Sequence, residues 1–133
     1  MTIFTKIING EIPCYKIAED DRFFAFLDIA PMTKGHTLVI PKFEADKEGD
    51  YIFDMEDEMY AGLMMFAKRV AKAIEAAVPC KRIGVAIMGM EVPHVHVHLI
   101  PMNSDKDMVI SNPKLKLEAS EMAEIAVNIA SKL

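Results

Sequence analysis

The segment Pro93-His94-Val95-His96-Val97-His98-Leu99-Ile100-Pro101 restricts the fold more than any other part of this chain. Extended backbone sends successive side chains to opposite faces of a sheet. On one strand spanning Pro93 to Pro101, Val95, Val97 and Leu99 face a core, while His94, His96 and His98 share the other face. Neighbouring histidines on that face are about 6.5–7 Å apart. Imidazoles are partly cationic near neutral pH and costly to crowd together. Such a row therefore predicts a site for something anionic or metallic, set on a strand with one apolar face.

The flanking sequence supplies the rest of an α+β fold. Thr2 can cap a short helix over Ile3–Asn9, closed by Gly10, and Pro13 stops its continuation. Cys14–Glu19 and Arg22–Asp28 read as strands around an Asp20-Asp21 turn, the second apolar enough to be packed on both faces. A third strand runs from His36 to Ile40, between the Pro31–Gly35 loop and Pro41. From Asp54 the period changes to about 3.6 residues. Met55, Met59, Leu63, Phe66, Val70 and Ile74 trace one helical face, with Asp54 as cap and Pro79 as stop. Arg82–Met88 then pairs antiparallel with Pro93–Pro101 through a short turn at Gly89-Met90-Glu91, and Ser120–Lys132 is a final helix. The expected architecture is a five-stranded, mostly antiparallel sheet with one long helix and short terminal helices.

Composition narrows the function classes. A chain of 133 residues suits one core, and 15 basic against 20 acidic side chains argue against bulk binding to nucleic acid. Eight acidic residues crowd into 44–58, a solvated stretch running into a helix start. The longest run without a charged residue, Val92–Ser104, is too short to span a membrane and holds three of the four histidines. The start has no basic region followed by an apolar run, as a signal peptide would. Cys14 and Cys80 make neither a disulfide scaffold nor a CxxC clip, so a reducing cytoplasm is the expected location.

Two chemistries fit the histidine row. His94 and His96 could grip a zinc ion, with His98 or His36 as third ligand. Alternatively, the imidazoles could surround a phosphate, with His96 attacking phosphorus and its neighbours orienting it and donating to the oxygens. Spacing alone does not separate them.

The sequence His94-Val95-His96-Val97-His98-Leu99 resembles the signature of the histidine triad (HIT) family. Three further segments resemble family segments in order. They are Ile3-Phe4-Thr5-Lys6-Ile7-Ile8 with Glu11-Ile12-Pro13, then Phe26–Pro31, then Gly35–Lys42. The likeness spans roughly residues 2–101 of a single domain, leaving 103–133 as an uncovered extension with a helix. It implies hydrolases or transferases that cleave at the α-phosphorus of a nucleoside phosphate through a nucleotidyl-histidine intermediate, with no cofactor or metal in the chemistry. Position by position, His96 corresponds to the nucleophile, His94 and His98 complete the triad, and His36 is the fourth histidine at the phosphate. Asp28 corresponds to the ribose-binding carboxylate, and Ile3, Phe4, Ile7, Phe26, Ile29 and Leu38 to the wall of a base pocket suited to a purine. The resemblance also implies a homodimer with a ten-stranded sheet. Expected substrates are adenosine or guanosine phosphoramidates or dinucleoside polyphosphates; the alternative is a nucleotide-binding module with little or no catalysis.

Two departures stand out. The connection Met88–Pro93 is shorter than in many relatives, lacks their Asn, and puts Glu91 where Ser or Thr would be expected, making Glu91 a candidate acid for the leaving group. Strand parity would nevertheless place Glu91 on the face away from the triad. Some relatives hold structural zinc through an N-terminal CxxC, whose positions are Thr2 and Thr5 here.

Overall fold

The computed structural model describes residues 2–42 and 50–133. Part of the acidic stretch (Glu44, Asp46 and Glu48) lies outside the described residues. In chain order the elements are α1 (Ile3–Ile8), β1 (Lys16–Glu19), β2 (Phe23–Leu27), β3 (Thr37–Pro41), α2 (Asp57–Ala77), β4 (Arg82–Ala86), β5 (Val97–Met102) and α3 (Ala119–Ala130). The five strands form one antiparallel sheet in the order β1-β2-β3-β5-β4, the expected α+β architecture.

Register decides what each face carries. Phe26, Leu38, His98 and Ala86 lie opposite one another across four strands, so they share a face. Ala25, Val39 and Val97 make the neighbouring row on the other face. On that other face Leu27, Val39, Val97 and Leu99 pack against Leu63, Phe66, Val70 and Ile74 of α2 and Met122, Ala126 and Ile129 of α3 in the larger core. On the histidine face Phe4 and Ile7 of α1 close a smaller cluster over Phe24, Phe26, Leu38 and Ile40. Both faces of β2 are therefore covered, as its unbroken apolar run requires, and all five of its residues are buried.

Several boundaries move for identifiable reasons. The Thr2 hydroxyl accepts the Thr5 N–H at 3.2 Å, capping α1 as expected, and Gly10 adopts the left-handed φ of +79° just beyond its end. Asp54 does not cap the long helix. Ile52–Asp54 is a separate 3₁₀ turn, Met55 is extended, and α2 starts at Asp57 behind Glu56. Met55 still reaches the core beside Met59 and Met64, whereas Met65 is exposed. The connection between β4 and β5 is not a tight turn but irregular backbone over residues 87–96.

As a result, the strand expected from Pro93 begins only at Val97. Continuing the β3–β5 register would put Val95 opposite Pro41, yet the Pro41 carbonyl is taken by the His94 ring at 2.9 Å. A side chain thus replaces a ladder bond, and the sheet ends there. Val95 nevertheless stays in the larger core, so the apolar half of the alternation survives the loss of regular strand.

Candidate active site

All four histidines gather on the histidine face, with ring centroids 4.9 Å apart for Phe4–His96, 5.0 Å for His96–His98 and 5.2 Å for His36–His98. Different constraints hold each ring. His98 sits in regular β5, opposite Leu38 and Ala86. His36 immediately precedes β3, where Asp28 N–H donates to its carbonyl and its own N–H donates to Thr33 O. The turn before it needs Gly35: φ is +90°, and a Cβ there would lie 3.0 Å from Val78 Cγ2 and 3.3 Å from Pro101 Cγ.

The hydrogen-bond partners assign a tautomer to every imidazole. Met32 N–H donates to His36 Nδ1 at 3.0 Å, so the proton of neutral His36 is on Nε2. That Nε2–H donates to His98 Nδ1 at 3.0 Å, which puts the His98 proton on Nε2. Burial pushes both groups down from 6.5 to about 4, so both are neutral at pH 7. The repulsion expected of crowded cations is thereby removed. At the other end, His94 Nε2–H donates to Pro41 O, and burial lowers the His94 pKa as well. The Thr2 hydroxyl donates to His94 Nδ1 at 2.8 Å. The His94 carbonyl accepts His96 Nδ1–H at 2.7 Å, leaving Nε2 of neutral His96 with a lone pair. The array therefore offers one nucleophilic nitrogen beside one N–H donor, His98 Nε2–H.

Asp28 stands beside them, Oδ2 lying 3.7 Å from His36 Nε2, while Oδ1 accepts the Ala30 N–H at 2.9 Å. Burial raises its pKa, against the lowering effect of that N–H. A cavity of about 520 Å³ opens over Asp28, His36, His96 and His98. Glu91 is exposed and lines the same cavity, because the irregular connection cancels the strand parity that would have sent it to the far face.

The apolar candidates separate into two kinds. Phe4, Ile7, Phe26 and Leu38 are buried in the smaller cluster as core, with the Phe4 ring edge-on to His94 and His96. Ile3 and Ile29 are 49% and 77% exposed and offer free surface to a ligand. None of the six lines the cavity.

For a metal, the donor group that comes together among the described residues is Asp28, His36 and His98, with ligand atoms within 4.8 Å of one another, not His94 with His96. His36 Nε2 already carries a proton there, held by the Met32 N–H on its Nδ1. A metal at that nitrogen would have to displace the proton and break the Met32 bond. At the positions of the relatives' CxxC, Thr2 and Thr5 hydroxyls are 3.2 Å apart, and Thr2 bonds His94 directly.

The profile of the HIT domain matches residues 9–105 of this chain. The chain belongs to the histidine triad family. A fission yeast (Schizosaccharomyces pombe) relative named adenosine 5'-monophosphoramidase hnt1 is 39% identical over 134 residues, covering 98% of this chain and 97% of its own. A HIT-like protein of Bartonella henselae, described as involved in cell-cycle regulation and crystallised with an unknown ligand, has a TM-score of 0.81 at 31% identity, covering 99% of this chain and 96% of that one. A zinc-bound HIT protein of Mycobacterium smegmatis has a TM-score of 0.79 at 26% identity, covering 98% and 91%. At the family level this supports a nucleotide hydrolase.

Sequence reasoning missed three contributors to this HIT site. The Met32 N–H that sets the His36–His98 proton chain is a backbone group with no sequence signal. The Thr2 cap was legible, its bond to a residue 92 positions away was not. Met108, Ile110 and Lys114, which line the cavity, come from the stretch the resemblance did not reach.

Proposed function

We propose that this HIT protein hydrolyses nucleoside phosphoramidates at the α-phosphorus through a covalent nucleotidyl-His96 intermediate. The observation that carries the reading is the proton arrangement, a lone pair on His96 Nε2 beside an N–H on His98 Nε2. His96 Nε2 forms the N–P bond as the bond to the leaving amine breaks, and the amine nitrogen takes a proton from solvent in the cavity, which the attacking water of the second step gives back. Positive charge growing on the His96 ring strengthens its Nδ1–H bond to the His94 carbonyl. His98 Nε2–H stabilises a non-bridging phosphate oxygen, and water then cleaves the N–P bond, releasing the monophosphate. Asp28 Oδ2 accepts the ribose hydroxyls, and the exposed Ile3 and Ile29 flank a purine base. The name of the fission yeast relative supports an adenosine phosphoramidate; dinucleoside polyphosphates remain the second substrate class by resemblance.

Two further parts of the reading rest on separate observations. β4 ends the sheet, and Val85 on it is exposed, which favours a second copy pairing there to continue the sheet. Cys14 and Cys80 are both free thiols, and no helix of the described residues is long and apolar enough to cross a membrane, in keeping with a cytoplasmic location.

The deciding experiment is His96→Ala. Turnover of adenosine phosphoramidate should fall by about a thousandfold or more, while folding and AMP affinity persist. Rapid-quench mass spectrometry should catch an adenylyl adduct in the wild type. Comparable turnover in His96→Ala sinks the covalent reading. A wild type that binds AMP yet turns over no phosphoramidate or dinucleoside polyphosphate would establish the binding-module alternative.

A further inference from the structure

The cavity over the histidines has a wall from beyond the family match. Met108, Ile110 and Lys114 line it, whereas the matched region ends at 105. That wall is tied down: Leu115 N–H donates to Pro31 O at 2.9 Å, and Lys114 Nζ donates to Ile110 O at 2.6 Å and Asn112 O at 2.9 Å. A lysine ammonium has three donors, so one is left for a ligand. No ion pair joins Lys114 to a carboxylate among the described residues, yet its charge acts on both Asp28 and His36. Among the described residues it is the one Lys or Arg on the cavity lining, which Met32, Met88, Met90, Ile100, Met108 and Ile110 make largely apolar, with Asp28 and Glu91 as its carboxylates.

No base-wall candidate and no residue of α1 lines the cavity. With the α-phosphate at His96, the ribose at Asp28 and the base at Ile3 and Ile29, the Met88–Met90, Ile100 and 108–114 part of the lining is left over, and the substituent still to be housed is the leaving group. A polyphosphate would need several donors where the wall is methionine and isoleucine; a hydrocarbon chain ending in one anionic group matches it. We propose that the 108–114 wall is a leaving-group subsite for an apolar amine bearing a carboxylate, with Lys114 selecting for the negative charge. This rests on the phosphoramidate reading above and goes beyond it by assigning the chemistry of the amine. The carboxylate keeps its charge throughout: the P–N bond breaks, the amine nitrogen takes the proton, and Lys114 remains an ammonium.

The test uses a matched pair, the adenosine 5'-phosphoramidates of 6-aminohexanoic acid and of its neutral carboxamide. The acid should be preferred by about fivefold in kcat/KM, as for an exposed charge pair. Lys114→Met should level the pair and Lys114→Glu should invert it. The same ratio, read as affinity in the His96→Ala background by calorimetry, requires no turnover. An acid-to-amide ratio unchanged by Lys114→Met in that background overturns the subsite, as does equal affinity for the two ligands in otherwise native protein. If the unsubstituted phosphoramidate is not hydrolysed, the catalytic reading fails by itself, and the affinity ratios still decide the role of Lys114.

Discussion

The two faces of the sheet are held by different physics. Against α2 and α3 the contact is hydrocarbon on hydrocarbon, with Leu27, Val39, Val97 and Leu99 meeting Leu63, Val70, Ile74 and Ile129. Its attraction has no direction and scales with area removed from water. On the opposite face a smaller apolar cluster stops short, and the remaining surface is given to imidazoles held by single hydrogen bonds: Met32 N–H to His36, His36 to His98, Thr2 to the His94 ring, and His96 to the His94 backbone carbonyl. Losing volume on the first face costs stability. Losing one donor on the second changes which nitrogen holds a proton, hence the chemistry. Stability and reactivity can reside on opposite sides of one sheet because a strand alternates its side chains.

Substitutions can break this division or sharpen it. The largest stability effect is expected from Leu63→Ala, which leaves a cavity in the larger core and should cost about 2–5 kcal/mol in denaturant unfolding. Turnover per folded molecule should not change; a parallel fall in kcat well below the melting temperature would show that the faces are coupled. On the other face, Asp28→Ala should leave stability nearly intact and weaken ribonucleotide binding by about 1.5–3 kcal/mol, as for hydrogen bonds to a charged group. Calorimetry with 2',3'-dideoxy analogues should show a much smaller loss, and equal losses would make Asp28 structural.

The pH dependence of stability comes next. His36 and His98 titrate near 4 when folded and near 6.5 when unfolded. Between those values the unfolded chain binds more protons, so the two groups make stability fall as pH drops from 6.5 towards 4 and contribute no slope above 6.5. The limit is about 1.4 kcal/mol per pH unit for each histidine. Denaturation midpoints of His36→Gln should follow a shallower course through that window than the wild type; identical slopes would mean the ring is not buried in its neutral form. The smallest effect belongs to Thr2→Val, which keeps the shape but removes the cap and the donor to His94. It should cost about 1 kcal/mol, with kcat reduced more than KM is changed, and Thr2→Ser should restore both. Restored stability without restored kcat would separate the cap from the histidine array.

Much of the fold could be read locally. The alternation at 94–99, the buried run at 23–27 and the helical face from Leu63 to Ile74 each announce their element because one periodicity dominates. The misreadings share a cause. Alternation places His94 and His96 on the right face, but regular strand does not reach them. Neither the short turn around Gly89-Met90-Glu91 nor the parity carried through Pro93 to Glu91 holds, because β5 starts at Val97, its partner's last carbonyl being spent on a ring. Of the site, residue types were legible and surroundings were not. Phe26 and Leu38 are buried while Ile29 is exposed, a distinction apolar character alone cannot make.

The amino-acid sequence by itself determined the elements, the family and the choice of four histidines and one aspartate, since these follow from local period and from residue identity. The tertiary structure decided the protonation pattern. Neutral rings at His36 and His98 depend on burial, and each proton is placed by hydrogen-bond partners that the fold aligns: Met32 for His36, His36 for His98, the His94 carbonyl for His96, and Thr2 with Pro41 for His94. It also decided that Lys114 and Glu91 reach the same cavity. Solvation and hydrogen-bond direction are properties of the space around a group, and only the folded chain brings that space into being.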